Sequence, residues 1–283
     1  MGLIERDDGW RMPDWLWQKV EPLLPPAPPH PLGCHRARIP DRRVMDAILL
    51  VLRTGMQWNA LAATAICNSS SAHRRFGGVG AGRRLSGDLA PGAARLRCSR
   101  RHRLGLAGGR RGDDQGAAGG RADRPQPHRS RQKGAKRSLL CEARGLPIGL
   151  ACDGANRHDQ PLLEPTLESI PIARPEPTTK RPQGLCLDRG YDLSSMREVV
   201  LKLGYTPHIR SRGEEIRLKA HTPGWRARRW VVEACHSWLN RNRALLVRWS
   251  KKAENHLALL QLACGLIAFK KARAATLQDA LSG

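Results

Sequence analysis

Two carboxylates stand where they could act on a metal ion or a phosphate. Asp188 ends the apolar run LCL and precedes Arg189 and Gly190. That sets it at the carboxyl end of a buried strand, where open sheets carry their sites; an Asp capping the next turn would look the same. Glu233 lies in RRWVVEACHSWLNRNR, four residues after Arg229. On a helix, Trp230, Ala234 and Trp238 would form one apolar stripe, while Arg229, Glu233, His236 and Asn240 fall on another face. The Arg229 and Glu233 side chains would then form an ordinary i, i+4 ion pair, or the carboxylate would hold a metal beside a phosphate.

The charge balance says whose phosphate. The 283 residues carry a formal net charge of +24, and cations clustered along a phosphate backbone gain from counterion release. Nucleic acid is therefore the first candidate partner. Part of the charge lies in an anomalous stretch: Gly77 to Gln132 holds 13 of the 28 glycines, 13 arginines, four Asp, no Glu and no aromatic residue. Its balance of +9 leaves +15 elsewhere in the chain. Such a composition is expected to form a disordered loop. Eight cysteines are scattered without a C-x-x-C pair, which favours buried reduced thiols over zinc or disulfides. The apolar run Val44 to Leu52 is too short to span a bilayer, and no signal peptide opens the chain. A soluble, cytoplasmic protein with no membrane contact is expected.

The elements that must position these residues fall into two groups. Asp14 is placed to cap a helix bearing Trp15, Leu16, Val20, Leu23 and Leu24, followed by a proline run that is either a stiff spacer or a ligand for an aromatic groove. Pro40 and Asp41 open a second helix with Val44, Ile48 and Val51 on one face and Gly55 at its end. A helical pair follows, capped by Ser69 or Ser70, with His73, Arg74 and Arg75 on its exposed side. This is either a helix-turn-helix reading a major groove or a solvated helix end. Beyond the anomalous stretch come a hairpin with Gly145 and Pro147 at its turn, a helix over Leu162 to Ile170, the strand GLCLD, a helix over Leu193 to Leu203, and the strand YTPHI. Two last helices run around Glu233 and from Glu254 to Lys271. A mixed α/β sheet with helices packed on it follows, preceded by a smaller helical unit.

Six strings, DWLWQKVEPLLP, IPDRRVMDAILLVLRTGMQW, KRSLLCEARGLPIGLACDGANRHD, CLDRGYD, GYTPHIRSRGEE and RARRWVVEACHSWLNRNRALLVRW, resemble the DDE transposases of bacterial insertion sequences, in the branch typified by insertion sequence five. The resemblance implies a helix-turn-helix-like all-α DNA-binding region (1–76), then an RNase H-like catalytic domain (133–273) and a short tail (274–283). It also implies an Asp, Asp, Glu triad holding two Mg²⁺ ions roughly 3.5–4 Å apart. Asp188 matches the second Asp and Glu233 the Glu, both as catalytic residues and metal ligands. Arg189, Arg228, Arg229 and Arg243 would hold DNA backbone, alongside His73, Arg74 and Arg75. The partners implied are transposon ends and target DNA, with a homo-oligomer possible. A DNA-binding protein without catalysis and a metal-dependent nuclease of the same fold are the competing classes.

The first Asp of the triad is missing. The family carries it in a string like Asp-Gly-Ala-Met-Thr-Lys-Ala-Pro, whose place here holds RRGDDQGAA. If Arg110 to Ala118 are written CGA CGG GGC GAT GAC CAA GGC GCC GCN, reading one nucleotide later gives GAC GGG GCG ATG ACC AAG GCG CCG, which spells that octapeptide. Gly78 to Leu85 and Gly119 to Arg131 yield family-like strings in the same register. An extra nucleotide after Phe76 and a compensating loss near Gln132 are inferred, so the sheet is expected to lack its first central strand and the site one carboxylate. Asp113 and Asp114 lie nearby without a strand to aim them.

Overall fold

The computed structural model describes residues 9–27, 37–81, 103–107, 114–115, 124–125, 133–172, 174–209, 212–222 and 230–282. Helix α1 (Asp14–Val20) follows Pro13, which occupies the capping position without a side-chain bond. Asp14 therefore sits inside the first turn, where its carboxylate takes a hydrogen bond from Arg42 at 2.7 Å. Helix α2 (Asp41–Thr54) buries Val44, Ile48 and Val51 as its period requires and ends on Gly55, whose left-handed φ of 69° lets its N–H reach the Val51 carbonyl. A 3-10 segment (Trp58–Thr64) leads to α3 (Ser69–Ala81). His73 and Arg74 are exposed on α3, but Arg75 turns inward to pair with Asp41 at 2.5 Å, because α3 packs across the first turn of α2.

Strand β1 (Arg103–Ala107) and the two-residue strands β2 (Asp114–Gln115) and β3 (Arg124–Pro125) lie within the stretch expected to be a loop. The expectation gives way at these three places, and the remainder of 82–132 lies outside the described residues. The reason is backbone pairing. RLGLA carries the clearest apolar alternation there, and the strands beside it would otherwise bury unpaired edges. Strand β4 (Lys133–Glu142) pairs antiparallel with β1 on one side and with β5 (Pro147–Gly154) on the other; β2 and β3 add to its first residues. The β4–β5 turn is the expected one, with Gly145 at φ 80°.

Helix α4 (Leu163–Glu168) packs on β4 and β5. Strand β6 (Gly184–Leu187) runs parallel to β1, and after α5 (Ser194–Lys202) comes β7 (Thr206–Ile209), parallel to β6. The order β5-β4-β1-β6-β7, two antiparallel joints followed by two parallel ones, is the RNase H-like mixed α/β sheet. Helices α6 (Arg212–His221), α7 (Trp230–Asn240) and α8 (Ala253–Ser282) complete the chain. Helix α8 continues through 273/274, so no break separates the tail.

The sheet is covered on both faces. On one, Leu140, Leu163, Leu167, Leu185, Leu187, Tyr191, Val200 and Tyr205 close a core under α4 and α5. On the other, Leu139, Cys141 and Leu150 join α7 and α8 in a core that also takes in Leu16, Trp17, Leu52, Ala72 and Phe76 of the first three helices. The N-terminal helices are thus packed into the same core as the sheet. Helix α8 explains how: Ala258, Leu259, Leu260, Leu262, Ala263 and Leu266 are all buried, which is more than one stripe, so this helix is surrounded rather than laid on a surface.

Candidate active site

Asp188 follows β6 directly and opens a 3-10 turn (Arg189–Tyr191) in which the Tyr191 N–H donates to its carbonyl at 3.0 Å. The side chain is half-buried. Burial raises the Tyr191 hydroxyl well above its ordinary pKa, and the Asp159 and Asp188 carboxylates push the same way while a Ser138 hydrogen bond opposes them. Tyr191 therefore stays protonated beside Asp188.

The strand beside β6 is β1, paired parallel with it through Gly105 and Cys186. None of the residues of β1, Arg103–Ala107, is acidic, so this strand brings no carboxylate toward Asp188.

Glu233 occupies the first turn of α7, which packs over β4 and β1. The buried face of α7 is Val231, Val232, Cys235, His236 and Leu239, not the stripe of Trp230, Ala234 and Trp238. Trp230 is 54 % exposed, and Trp238 is half-buried beneath the Lys271 ammonium, 4.2 Å from its ring centroid. The helix turned because α8 and the sheet offer aliphatic contacts on two sides, which a cysteine, two valines and a leucine fill more closely than indoles.

That rotation buries His236, one of the polar residues grouped with Glu233. Burial, and then the Arg137 charge, lower its pKa to about 4, and among the described residues neither ring nitrogen has a hydrogen-bond partner. It is neutral at physiological pH. Arg137, which the sequence reading passed over, is the fully buried cation beside it; one of its terminal N–H groups donates to the Asn240 carboxamide oxygen, while Nε and Nη1 have no partner among the described residues. Its signal was present in KRSLL. On β4, residues 137, 139 and 141 share a face, and a basic residue in line with Leu139 and Cys141 must be buried.

Of the basic residues expected to hold DNA, His73 and Arg74 are exposed on α3 and Arg243 is exposed after α7. Arg75 is occupied with Asp41. The side chain of Arg189, and all of Arg228 and Arg229, lie outside the described residues. Among the described residues no group of three His, Cys, Asp or Glu side chains could hold a metal ion. The two Mg²⁺ ions do not fit the described carboxylates, because β1, beside the strand that leads to Asp188, supplies none. Among the described residues no helix is long and apolar enough to cross a membrane.

Comparison with known proteins places these elements. Residues 107–267 match the family described as transposase DDE domain, and residues 12–79 match the family described as putative transposase of the IS4/5 family. The first match begins at the end of β1 and so takes in the second half of the anomalous stretch. The putative transposase for insertion sequence element IS402 of Burkholderia cepacia is 34% identical over 153 residues, 53% of this chain and 70% of that protein. An uncharacterized 16.2 kDa protein of the same insertion element is 40% identical over 57 residues, covering 20% of this chain and 39% of its own length. Among solved structures, the Mos1 strand transfer complex aligns over 88% of this chain and 81% of that one at 9% identity, with a TM-score of 0.27, too remote to bear on the site. With more than half of its length under the DDE-domain match, the chain belongs to the DDE transposases of the IS4/5 family.

Proposed function

We propose that this chain is a DNA-transposition protein that keeps the DNA-binding half of its work and has lost strand cleavage. Asp188 and Glu233 are its two inherited catalytic carboxylates, and a shifted reading frame across 77–132 has removed the third. The observation that carries the reading is that β1, the strand paired with the one leading to Asp188, holds no acidic residue. When Mg²⁺ is bound in a complete site of this kind it activates a water or a 3′-hydroxyl and steadies the leaving oxygen. In this chain the carboxylate set is short by one.

DNA binding needs none of that. The exposed His73 and Arg74 on α3 and Arg243 after α7, on a chain of net charge +24, supply the sequence-independent part of affinity. The N-terminal helices hold α3 in place through the core they share with α7 and α8. Such a product would occupy transposon ends without cutting them. The test is retention of transposon-end DNA alongside strand cleavage with Mg²⁺. Salt-sensitive retention without cleavage supports the reading; cleavage abolished by Asp188→Ala overturns it.

A further inference from the structure

We infer that the turn between α7 and α8, Arg241 to Lys252, is a DNA contact in its own right, in which the Trp249 indole stacks on an unpaired or terminal base. This rests on the DNA-binding reading above and deepens it, since of this turn that reading uses Arg243 alone.

The turn is built from inside. Arg248 is 1% exposed, and its guanidinium donates to the carbonyls of Ser250 at 3.0 Å and Lys251 at 3.3 Å. The chain is thereby curled around one buried cation, with those carbonyls drawn inward. Trp249, next to that anchor, is driven outward and left 52% exposed, with Leu246, three residues earlier, 37% exposed. The base of the turn is fixed as well: Ala244 and Leu245 are buried in the main core, and the backbone of Arg243 and Ala244 lies so close to Gly55 that a Cβ there would sit 3.1–3.2 Å away. An indole held out on a rigid mount is unlike an aromatic residue at the edge of a core.

Its surroundings choose the occupant. Arg241, Arg243, Lys251 and Lys252 are all exposed, and no acidic residue occurs in the turn. A flat apolar face among four cations matches a nucleobase with its phosphates, since stacking on an aromatic ring is indifferent to base identity and cations track the backbone. A second copy of this chain is a poor match, because each copy brings a net charge of +24.

The experiment uses the full chain, its Trp249→Ala and Trp249→Phe variants, and two DNA probes: a flush duplex, and the same duplex with a short unpaired tail carrying a fluorescent purine analogue. Wild type is expected to quench the analogue. Trp249→Ala should lose the quenching and bind the tailed DNA about tenfold more weakly, with little change on the flush duplex, while Trp249→Phe keeps most of both. Equal quenching and affinity in Trp249→Ala overturns the stacking site and leaves DNA binding standing. A change of molecular mass in light scattering for Trp249→Ala, without a change in quenching, assigns the indole to a protein contact and also overturns it. Failure of wild type to retain either probe removes the DNA-binding reading and this site together.

Discussion

His236 and Arg137 share one buried pocket, and together they make a pH-sensitive element of stability. The imidazole titrates at about 4 in the folded chain because it is buried beside a cation; unfolded, it returns to about 6.5. Between those values the unfolded state binds the proton and the folded state does not. Stability is therefore complete above pH 6.5 and falls as the pH drops toward 4, by about 3 kcal/mol for this group. Urea midpoints measured across that range should show the loss, and His236→Gln should flatten it. The two neighbouring arginines of α3 make a second contrast. Arg74 is exposed, so Arg74→Ala should lower the slope of log affinity for DNA against log salt by about one. Arg75 is spent on Asp41, so Arg75→Ala should leave that slope alone and lower stability by about 0.5 kcal/mol.

Elements were legible in the sequence where two independent signals agreed. Helix α2 has a clean period, a proline before it and a glycine after it, and the structure keeps all three. Gly55 also shows a requirement no pattern reveals: the Arg243 backbone passes close to it. Gly55→Ala combines a left-handed φ with that crowding and should cost about 2 kcal/mol in denaturant titration. Helix α7 misled because its tryptophans outranked its valines in any hydrophobicity count, although packing against α8 and the sheet favours the smaller side chains. With it went the placement of His236, which a helical wheel puts beside Glu233 and the fold puts in the core. Strand β1 was missed for a different reason. Five residues of ordinary alternation, inside a stretch dominated by Arg and Gly, are too short to be told from loop without the two strands that flank them. Asp188 was readable because the strand before it is apolar and the residues after it turn; Arg137 was passed over because a basic residue in a strand ordinarily marks the solvent face, although its place in line with Leu139 and Cys141 points inward.

At the scale of the whole molecule, one core joins the first three helices to the sheet through α8. The N-terminal helical region and the catalytic fold were expected as two units, and their packing couples them. Leu260, fully buried in the N-terminal third of α8, tests this: Leu260→Ala should cost about 3 kcal/mol and lower the unfolding midpoint equally for a probe on α3 and a probe on β5. Midpoints that separate would show two independent units. If a strand-cleaving centre was inherited here and lost one carboxylate to the shifted frame, Mg²⁺-dependent cleavage of transposon-end DNA separates the chain as it stands from one whose reading frame is restored across codons 77 to 132. No cleavage is expected from the first, and from the second a cleavage that disappears with Asp188→Ala or Glu233→Gln. Cleavage by the unrestored chain, or a restored chain that folds, binds the DNA and still leaves it intact, would contradict that premise.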